Sequence, residues 1–386
     1  AMADGEACPA SVDLRLDLGP VVGQGTSGEV SRLLSSIDGG RYVVKRVPLH
    51  RGSSEGGAAE SAALHEVRIH RLVSAGCASI VRYAFSHTAG PELLVCMEAC
   101  DLALWDALTQ PDGLRLGVGG SAACASPADQ EQLRAQRMAI ATELCAAVRH
   151  LCRLRVLHRD VNPWNVFLAA REGAGPAWAA KLGDFGLAVL LPEGQLELEG
   201  IEAEGAVPLD ESALGSLYSA PELGKSYGFP ADVFSLGMTL LAISAAAACE
   251  DEDALVTVTE RAKLAAVGGG APPCLVGGRA GEDEGLRPLL RRMLRPGPAE
   301  RATAEEACEV LLHPGRLASQ SEVERSFRAV LGESTCLLSW RQLSRVIVAC
   351  GLPDAKLASL KAAWAPESDS LLDYTHFLDW LYSGEA

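Results

Sequence analysis

The hydrophobic period of this chain changes once, near residue 100, and few folds accommodate such a change. Between residues 14 and 49 the apolar positions alternate in the short runs LRLDLGPVV, GQGTSGEV and RYVVKRVPL, broken by glycine. Period-two alternation with β-branched residues, and a Gly39-Gly40 turn, predicts three antiparallel strands. A Gly/Ser-rich loop at 52–58 leads into SAALHEVRIHRLV, where Leu64, Val67, Ile69 and Leu72 share one predicted helical face. IVRYAF and ELLVCMEA read as two more strands. DLALWDAL then reads as a short helix, 111–128 as a Gly/Ala/Ser/Pro-rich surface loop, and 129–154 as a long amphipathic helix. Short strands and turns fill 156–187, and an acidic loop follows. Helices dominate from 219, with a Pro/Gly-rich loop at 268–288 and a boundary at His313-Pro314-Gly315. Sheet first and helices second predicts two lobes and a helical tail.

The 386 residues suit two or three domains and a large core, with 48% hydrophobic and 22% charged residues excluding wholesale disorder. Aromatics at 5% leave that core to Leu, Val and Ala. A net charge of −16 argues against nucleic acid or an anionic membrane as a partner, and leaves basic peptides open. The 12 cysteines are scattered, Cys96 and Cys100 being the closest, so neither a zinc site nor a disulfide framework is indicated. Reduced, buried thiols in a cytoplasmic or nuclear protein are expected. Residues 1–8 lack the basic start of a signal peptide, and 236–249 is too short and too rich in Ser and Thr to span a bilayer. A soluble chain is expected.

The glycine run Gly23-Gln24-Gly25-Thr26-Ser27-Gly28-Glu29-Val30 lies between two predicted strands. A dinucleotide fingerprint needs a helix after it; a strand here favours a flap closing over phosphates. Lys45 stands on the third strand, and Glu66 in the helix that follows is its candidate ion-pair partner. His158-Arg159-Asp160 opens a loop ending at Asn165, Asp184-Phe185-Gly186 comes shortly after, and Ala220-Pro221-Glu222, Asp232 and Arg301 follow in order.

In that order and on those elements, the motifs resemble a eukaryotic protein kinase from about residue 15 to 317. The resemblance implies an α+β, bilobal protein kinase fold. Residues 15–100 would be the N-lobe, a five-stranded sheet plus a helix, and 101–317 a mostly helical C-lobe. It implies that Gly23, Gly25, Gly28 and Val30 cover ATP, with Val43 lining the same site. Lys45, positioned by Glu66, would hold the α- and β-phosphates; Met97 would guard the adenine pocket, and Glu98 and Cys100 would read adenine through their main chain. Asp160 would orient the substrate hydroxyl, while Asn165 and Asp184 would ligate magnesium. Glu222 and Arg301 match a structural ion pair, and Asp232 matches the residue that anchors the catalytic-loop backbone. Leu214-Gly215-Ser216-Leu217-Tyr218 resembles the Ser/Thr pattern, with Ser216 at the usual Thr position. The stretches Asn165-Val166-Phe167-Leu168 and Lys181-Leu182-Gly183-Asp184 are most similar to NIMA-related and translation-initiation-factor kinases.

Asn162 departs from that pattern, since such enzymes carry lysine there. Losing one charged donor at a developing charge costs about 2.7–4 kcal/mol, so a slow enzyme is expected unless another cation, for which Lys225 is a candidate, enters. Three readings therefore stand: an attenuated Ser/Thr protein kinase using ATP and Mg2+, a nucleotide-binding pseudokinase acting as a scaffold, and a small-molecule phosphotransferase. The last is disfavoured by 215–222, which looks built for peptides.

From Leu182 to Gly224 there is no Lys or Arg, only Glu193, Glu197, Glu199, Glu202, Glu204, Asp210 and Glu211 besides Asp184 and Glu222. A solvated acidic loop is one reading. The other lets Asp210 or Glu211 pair permanently with Arg159, which in such kinases meets a phosphate, and Ser212 would be a phosphorylatable alternative. Residues 1–14 are an N-terminal extension, and 318–386 form a helical tail whose CLLSWRQL and SLLDYTHFL segments have the spacing of a paired EF-hand. With Leu338 and Leu372 central, Cys336 and Ser370 occupy the turn, and Gln342 and His376 the last ligand position, where neither offers a bidentate carboxylate. No Ca2+ binding is expected. A degenerate EF-hand-like pair with Trp340, Trp364 and Trp380 as its core, docking on the helical lobe or a partner helix, is the expectation.

Overall fold

The computed structural model describes residues 18–25, 28–35, 39–49, 54–110, 126–171, 177–201, 207–246, 248–270, 286–312, 337–349, 360–361, 372–374 and 377–378. The extension at 1–14, residues 111–125 of the expected loop at 111–128, residues 271–285 of that at 268–288, the boundary at 313–315, and Glu202, Glu204, Cys336, Trp364, Ser370, His376 and Trp380 lie outside them. The chain divides into two compact units, residues 1–63 with 82–99, and 64–81 with 100–386.

The first unit is built on β1 (Leu18–Gly25), β2 (Gly28–Leu34) and β3 (Arg41–Pro48). The chain then enters α1 (Ser54–Ser74), and β4 (Tyr83–Ala89) and β5 (Glu92–Glu98) complete an antiparallel sheet of order β1-β2-β3-β5-β4. Its two faces separate cleanly. Leu33, Val44, Leu94 and Cys96 bury one face, with Tyr42 against them. The register places Val30 and Val95 beside Lys45, and Met97 beside Val43, on the other. Strand β1 runs to Gly25 and pairs it with Gly28, so most of the glycine run is ladder. Gly28 has φ +142°, and a Cβ there would lie 2.1 Å from the Arg46 carbonyl, so no other residue fits.

Helix α1 starts at Ser54, not after the expected loop at 52–58. It includes Gly56 and Gly57, which cost about 1 kcal/mol each in a helix, so the glycine signal for a loop is overridden there. The predicted face is also rotated: Leu64 and Leu72 are exposed, while Ala63, Ile69, His70 and Val73 are buried. Ile69, Val73 and Ile80 belong to the core of the second unit, which is why 64–81 group with it.

The second unit opens with β6 (Leu102–Ala103) and α2 (Leu104–Thr109), so the expected helix DLALWDAL begins as a strand that pairs with the next sheet. Helix α3 (Pro127–Arg153) starts at a capping box in which Ser126 and Asp129 satisfy each other's backbone N–H groups. Then come β7 (Val156–Leu157), β8 (Val166–Ala170), β9 (Trp178–Leu182), β10 (Val189–Leu190), β11 (Glu197–Glu199), α4 (Glu211–Gly215) and β12 (Ser226–Gly228). Strands β6-β8-β9 form one small sheet, and β10-β7 and β11-β12 form two ribbons.

Helix α5 (Phe229–Ala246) is the only described helix long and apolar enough to cross a bilayer, by length and composition; 78% of it is buried inside the unit, as a core helix. Helices α6 (Glu252–Val267), α7 (Arg287–Met293) and α8 (Ala304–Leu312) surround it or α3. In the tail, β13 (Leu337–Leu338) pairs antiparallel with β14 (Leu372–Asp373), setting Leu338 opposite Leu372. Between them α9 (Trp340–Ala349) buries Leu343, Val346 and Ile347 and lies alongside α7.

Candidate active site

The loop after β7 hangs from a carboxylate on α5. Asp232, 2% exposed, accepts the backbone N–H of His158 at 2.7 Å and of Arg159 at 2.9 Å. Burial pushes its carboxyl up, and those two N–H bonds, with the nearby His158 and Arg159, oppose that shift. The anchoring holds Arg159 at φ +65°, a left-handed conformation uncommon outside glycine.

Asp160 is gripped by two amides. Asn162 Nδ2 donates to its Oδ1 at 2.7 Å, and Asn165 Nδ2 to its Oδ2 at 2.7 Å and to its carbonyl at 2.9 Å. Burial raises the Asp160 carboxyl above the usual aspartate range, against the lowering influence of His158 and the two amides; Asp184 nearby adds to the rise. The result is a carboxylate of fixed orientation, able to accept a proton from a hydroxyl brought to it. With Nδ2 committed to Asp160, Asn165 keeps its amide oxygen for another partner.

Asp184 is exposed, and its φ of +56° is the second left-handed position of this site. Its Oδ1 accepts the Gly186 N–H at 3.2 Å, and a Cβ on Gly186 would come within 3.7 Å of Glu66 Oε2, so both carboxylates border that glycine. Phe185 fixes the segment from behind: its ring lies 5.0 Å from His158 and 5.2 Å from His70. His70 is 4% exposed and donates Nε2–H to the Val81 carbonyl at 2.7 Å. Nothing in the sequence reading singled out His70, because a lone histidine carries no pattern.

In the first unit Lys45 is 6% exposed, which removes it from the class of solvated strand lysines. Val30, Val43 and Met97 share its face. Glu98 donates its N–H to the Arg82 carbonyl at 3.0 Å and accepts the Arg82 N–H on Oε1 at 2.6 Å, closing the edge of β5 where the chain leaves for Cys100.

Arg159 meets neither Asp210 nor Glu211. Its guanidinium donates to the carbonyls of Leu187 at 2.5 Å and Val207 at 2.9 Å and to the Tyr227 hydroxyl at 3.2 Å. Asp210 is occupied as the N-cap of α4, accepting the Ala213 N–H at 2.8 Å, because a helix start needs an acceptor there. Ser212 is exposed on α4. Ser216 is half-buried, its Oγ accepting the Tyr218 N–H at 3.3 Å. Residues 216–219 are met by Lys263 of α6, which no motif in the sequence singles out; it donates to the Ser216 carbonyl and, at 3.4 Å, to Ser219 Oγ, and burial lowers its pKa. Lys225 is exposed.

Glu222 and Arg301 form a two-pronged pair, Arg301 Nη1 to Oε1 and Nη2 to Oε2 at 2.9 Å. The guanidinium also donates to the carbonyls of Arg295, Pro296 and Pro230 and lies 4.8 Å above the Phe234 ring. It therefore ties the Ala220-Pro221-Glu222 segment to α5.

The family model described as "Protein kinase domain" matches residues 16–312. Eukaryotic translation initiation factor 2-alpha kinase 1 of Rattus norvegicus is 30% identical over 149 residues, 38% of this chain and 22% of the rat protein. Serine/threonine-protein kinase Nek1 of Mus musculus is 25% identical over 231 residues, 57% of this chain and 15% of the mouse protein. The Wee1-like protein kinase of Oryza sativa subsp. japonica is 25% identical over 299 residues, 76% of this chain and 45% of the rice protein. The chain thus spans less than half the length of each of these relatives.

Proposed function

Since the chain belongs to the protein kinase family, we propose that it transfers the γ-phosphate of ATP, with magnesium, to Ser or Thr hydroxyls of protein substrates. The observation that carries this reading is the Asp160 carboxylate, held on both oxygens within a loop suspended from Asp232. In the reaction Asp160 orients the acceptor hydroxyl and takes up its proton. Lys45, with Gly23, Gly25, Gly28 and Val30 on the same sheet, would hold the nucleotide phosphates, and Val43, Met97, Glu98 and Cys100 the adenine. Asn165 Oδ1 and the Asp184 carboxylate are hard oxygen donors of the kind magnesium takes, and bound magnesium would neutralise the triphosphate charge. Transfer needs placement more than covalent help, and fixed amides and a buried lysine supply placement.

A nucleotide-binding scaffold is the second reading, favoured by Asn162 standing where the family carries lysine. ATP turnover over a peptide array separates the two. Full-length protein that phosphorylates Ser or Thr peptides in magnesium, and an Asp160→Asn variant that does not, support the enzyme. Nucleotide binding with no turnover by the unsubstituted protein supports the scaffold.

The tail fits a degenerate EF-hand-like pair docked on the helical unit, supported by the Leu338–Leu372 pairing and by α9 lying along α7. A cytoplasmic or nuclear setting suits buried thiols such as Cys96 and Cys145, which form no disulfide.

A further inference from the structure

Asn162 has so far stood for a missing lysine, but its contacts are those of a residue with work that lysine cannot do. The side chain is buried at 7% exposure, and both ends of its amide are used. Nδ2 donates to Asp160 Oδ1 at 2.7 Å and to the Asp160 carbonyl at 3.2 Å. Oδ1 accepts the backbone N–H of Trp164 at 3.0 Å and of Asn165 at 3.1 Å. One planar group thus closes the turn from 160 to 165 and fixes one oxygen of Asp160, while Asn165 fixes the other. An ammonium has three donors and no acceptor, so lysine would leave the two N–H groups without this oxygen. Asn165 N–H would keep the Asn162 carbonyl, at 3.1 Å; the Trp164 N–H rests on the side chain.

We propose that Asn162 is a positioning residue for phosphotransfer, setting the orientation of the Asp160 carboxylate, and that this loop is built around the amide rather than impaired by it. The inference rests on the kinase reading above and deepens it. The slow turnover expected from a lost lysine is then the wrong comparison, because restoring lysine removes the clamp as it adds the charge. Displacing a reacting group by about 1 Å can cost roughly a hundredfold in rate. The turn is independently braced: Trp164 stacks on Trp105 at 4.2 Å and meets Tyr218 edge-on at 5.7 Å, and the Trp105 N–H donates to the Pro163 carbonyl at 3.0 Å.

The test uses the full chain carrying Asn162→Asp, Asn162→Ala or Asn162→Lys. It measures kcat, KM for ATP and the thermal midpoint, with magnesium and a Ser/Thr peptide the unsubstituted protein phosphorylates. Asn162→Asp keeps the oxygens that hold the turn but sets a second carboxylate against Asp160 where the donor stood. Its thermal midpoint should fall, and its kcat should fall about ten- to a hundredfold with KM for ATP unmoved. Asn162→Ala should lose as much, and Asn162→Lys should not exceed the unsubstituted protein. A kcat for Asn162→Lys above the original, or an unchanged kcat for Asn162→Asp, overturns the inference while leaving the kinase reading intact. Losses of kcat matched by rises in KM for ATP across all three also overturn it, as a general loosening of the site. An unsubstituted protein that transfers no phosphate to any peptide overturns the kinase reading, and the inference with it.

Discussion

Arg301 has no exposed side-chain surface, so its charge depends wholly on what surrounds it. Three carbonyls and the Phe234 ring accept its guanidinium, but only Glu222 neutralises it. Removing one partner of a buried pair strands the other, which typically costs about 3–5 kcal/mol. Glu222→Ala should lower the unfolding free energy read from the urea midpoint of the full protein by an amount of that order, and Glu222→Ala with Arg301→Met should recover part of it, because no charge is then left behind. An unshifted midpoint for the single variant would show that the carbonyls suffice. Glu222, Arg301, Asp232 and Asp160 are each noticeable in the sequence as members of short motifs in a fixed order. The bonds of the Asp232 and Glu222 carboxylates are not, since they join positions 73 to 79 apart, and no local pattern encodes which N–H a buried carboxylate will meet. Asn162 is the sharpest case: the sequence shows what is missing there, and only the geometry shows what the amide accepts.

At the scale of elements, α1 shows where periodicity misleads. Its apolar residues suggest a face through Leu64 and Leu72, yet the helix turns His70 inward, because the Val81 carbonyl takes its N–H and Phe185 takes its ring. Hydrophobicity alone cannot place a histidine inside. One turn earlier, His65 donates Nε2–H to the Ala188 carbonyl at 3.2 Å, tying α1 to the segment after Asp184-Phe185-Gly186. Burial lowers the His65 pKa, the Arg159 and Arg68 charges lower it further, and the Ala188 bond opposes them. The folded state therefore takes up a proton at lower pH than the unfolded chain. This contribution to stability is whole above the ordinary histidine value near 6.5 and is lost as pH falls from there toward the lowered value. Thermal midpoints of the unsubstituted protein should drop between about pH 7.5 and 5.5, and His65→Gln should drop less over the same interval. Equal drops would mean that other groups carry the acid sensitivity. Strands β3 and β5, by contrast, are legible almost to the residue, because each carries a central run of apolar residues, whereas β1, β2 and β4 start or end three to five residues from the expected runs.

For the whole molecule, the switch of period near residue 100 anticipates two units, a sheet-rich one and a mostly helical one. It does not anticipate that 64–81 join the second, which follows from Ile69, Val73 and Ile80 being buried in its core. The tail was legible only as spacing. Its central leucines do pair, Leu338 with Leu372, and Trp340 meets Phe377 edge-on at 6.4 Å over a small core that includes Leu343, Tyr374 and Leu378. That core can hold the two strands together without an ion, and Gln342 accepts the Ser339 N–H at 3.1 Å and Oγ–H at 2.8 Å on its side-chain oxygen, serving its own helix start. Calcium at about 1 mM, the weak end of EF-hand affinities, should therefore leave the thermal midpoint unmoved. Leu343→Asp, which puts a charge at a position with 0% exposure, should unfold the tail and, because α9 lies against α7, lower the midpoint of the helical unit as well. If calcium raises the midpoint, the proposed degenerate pair is a working one. If Leu343→Asp melts the tail while the rest unfolds where it did before, the tail is an independent appendage rather than a docked part of the helical unit.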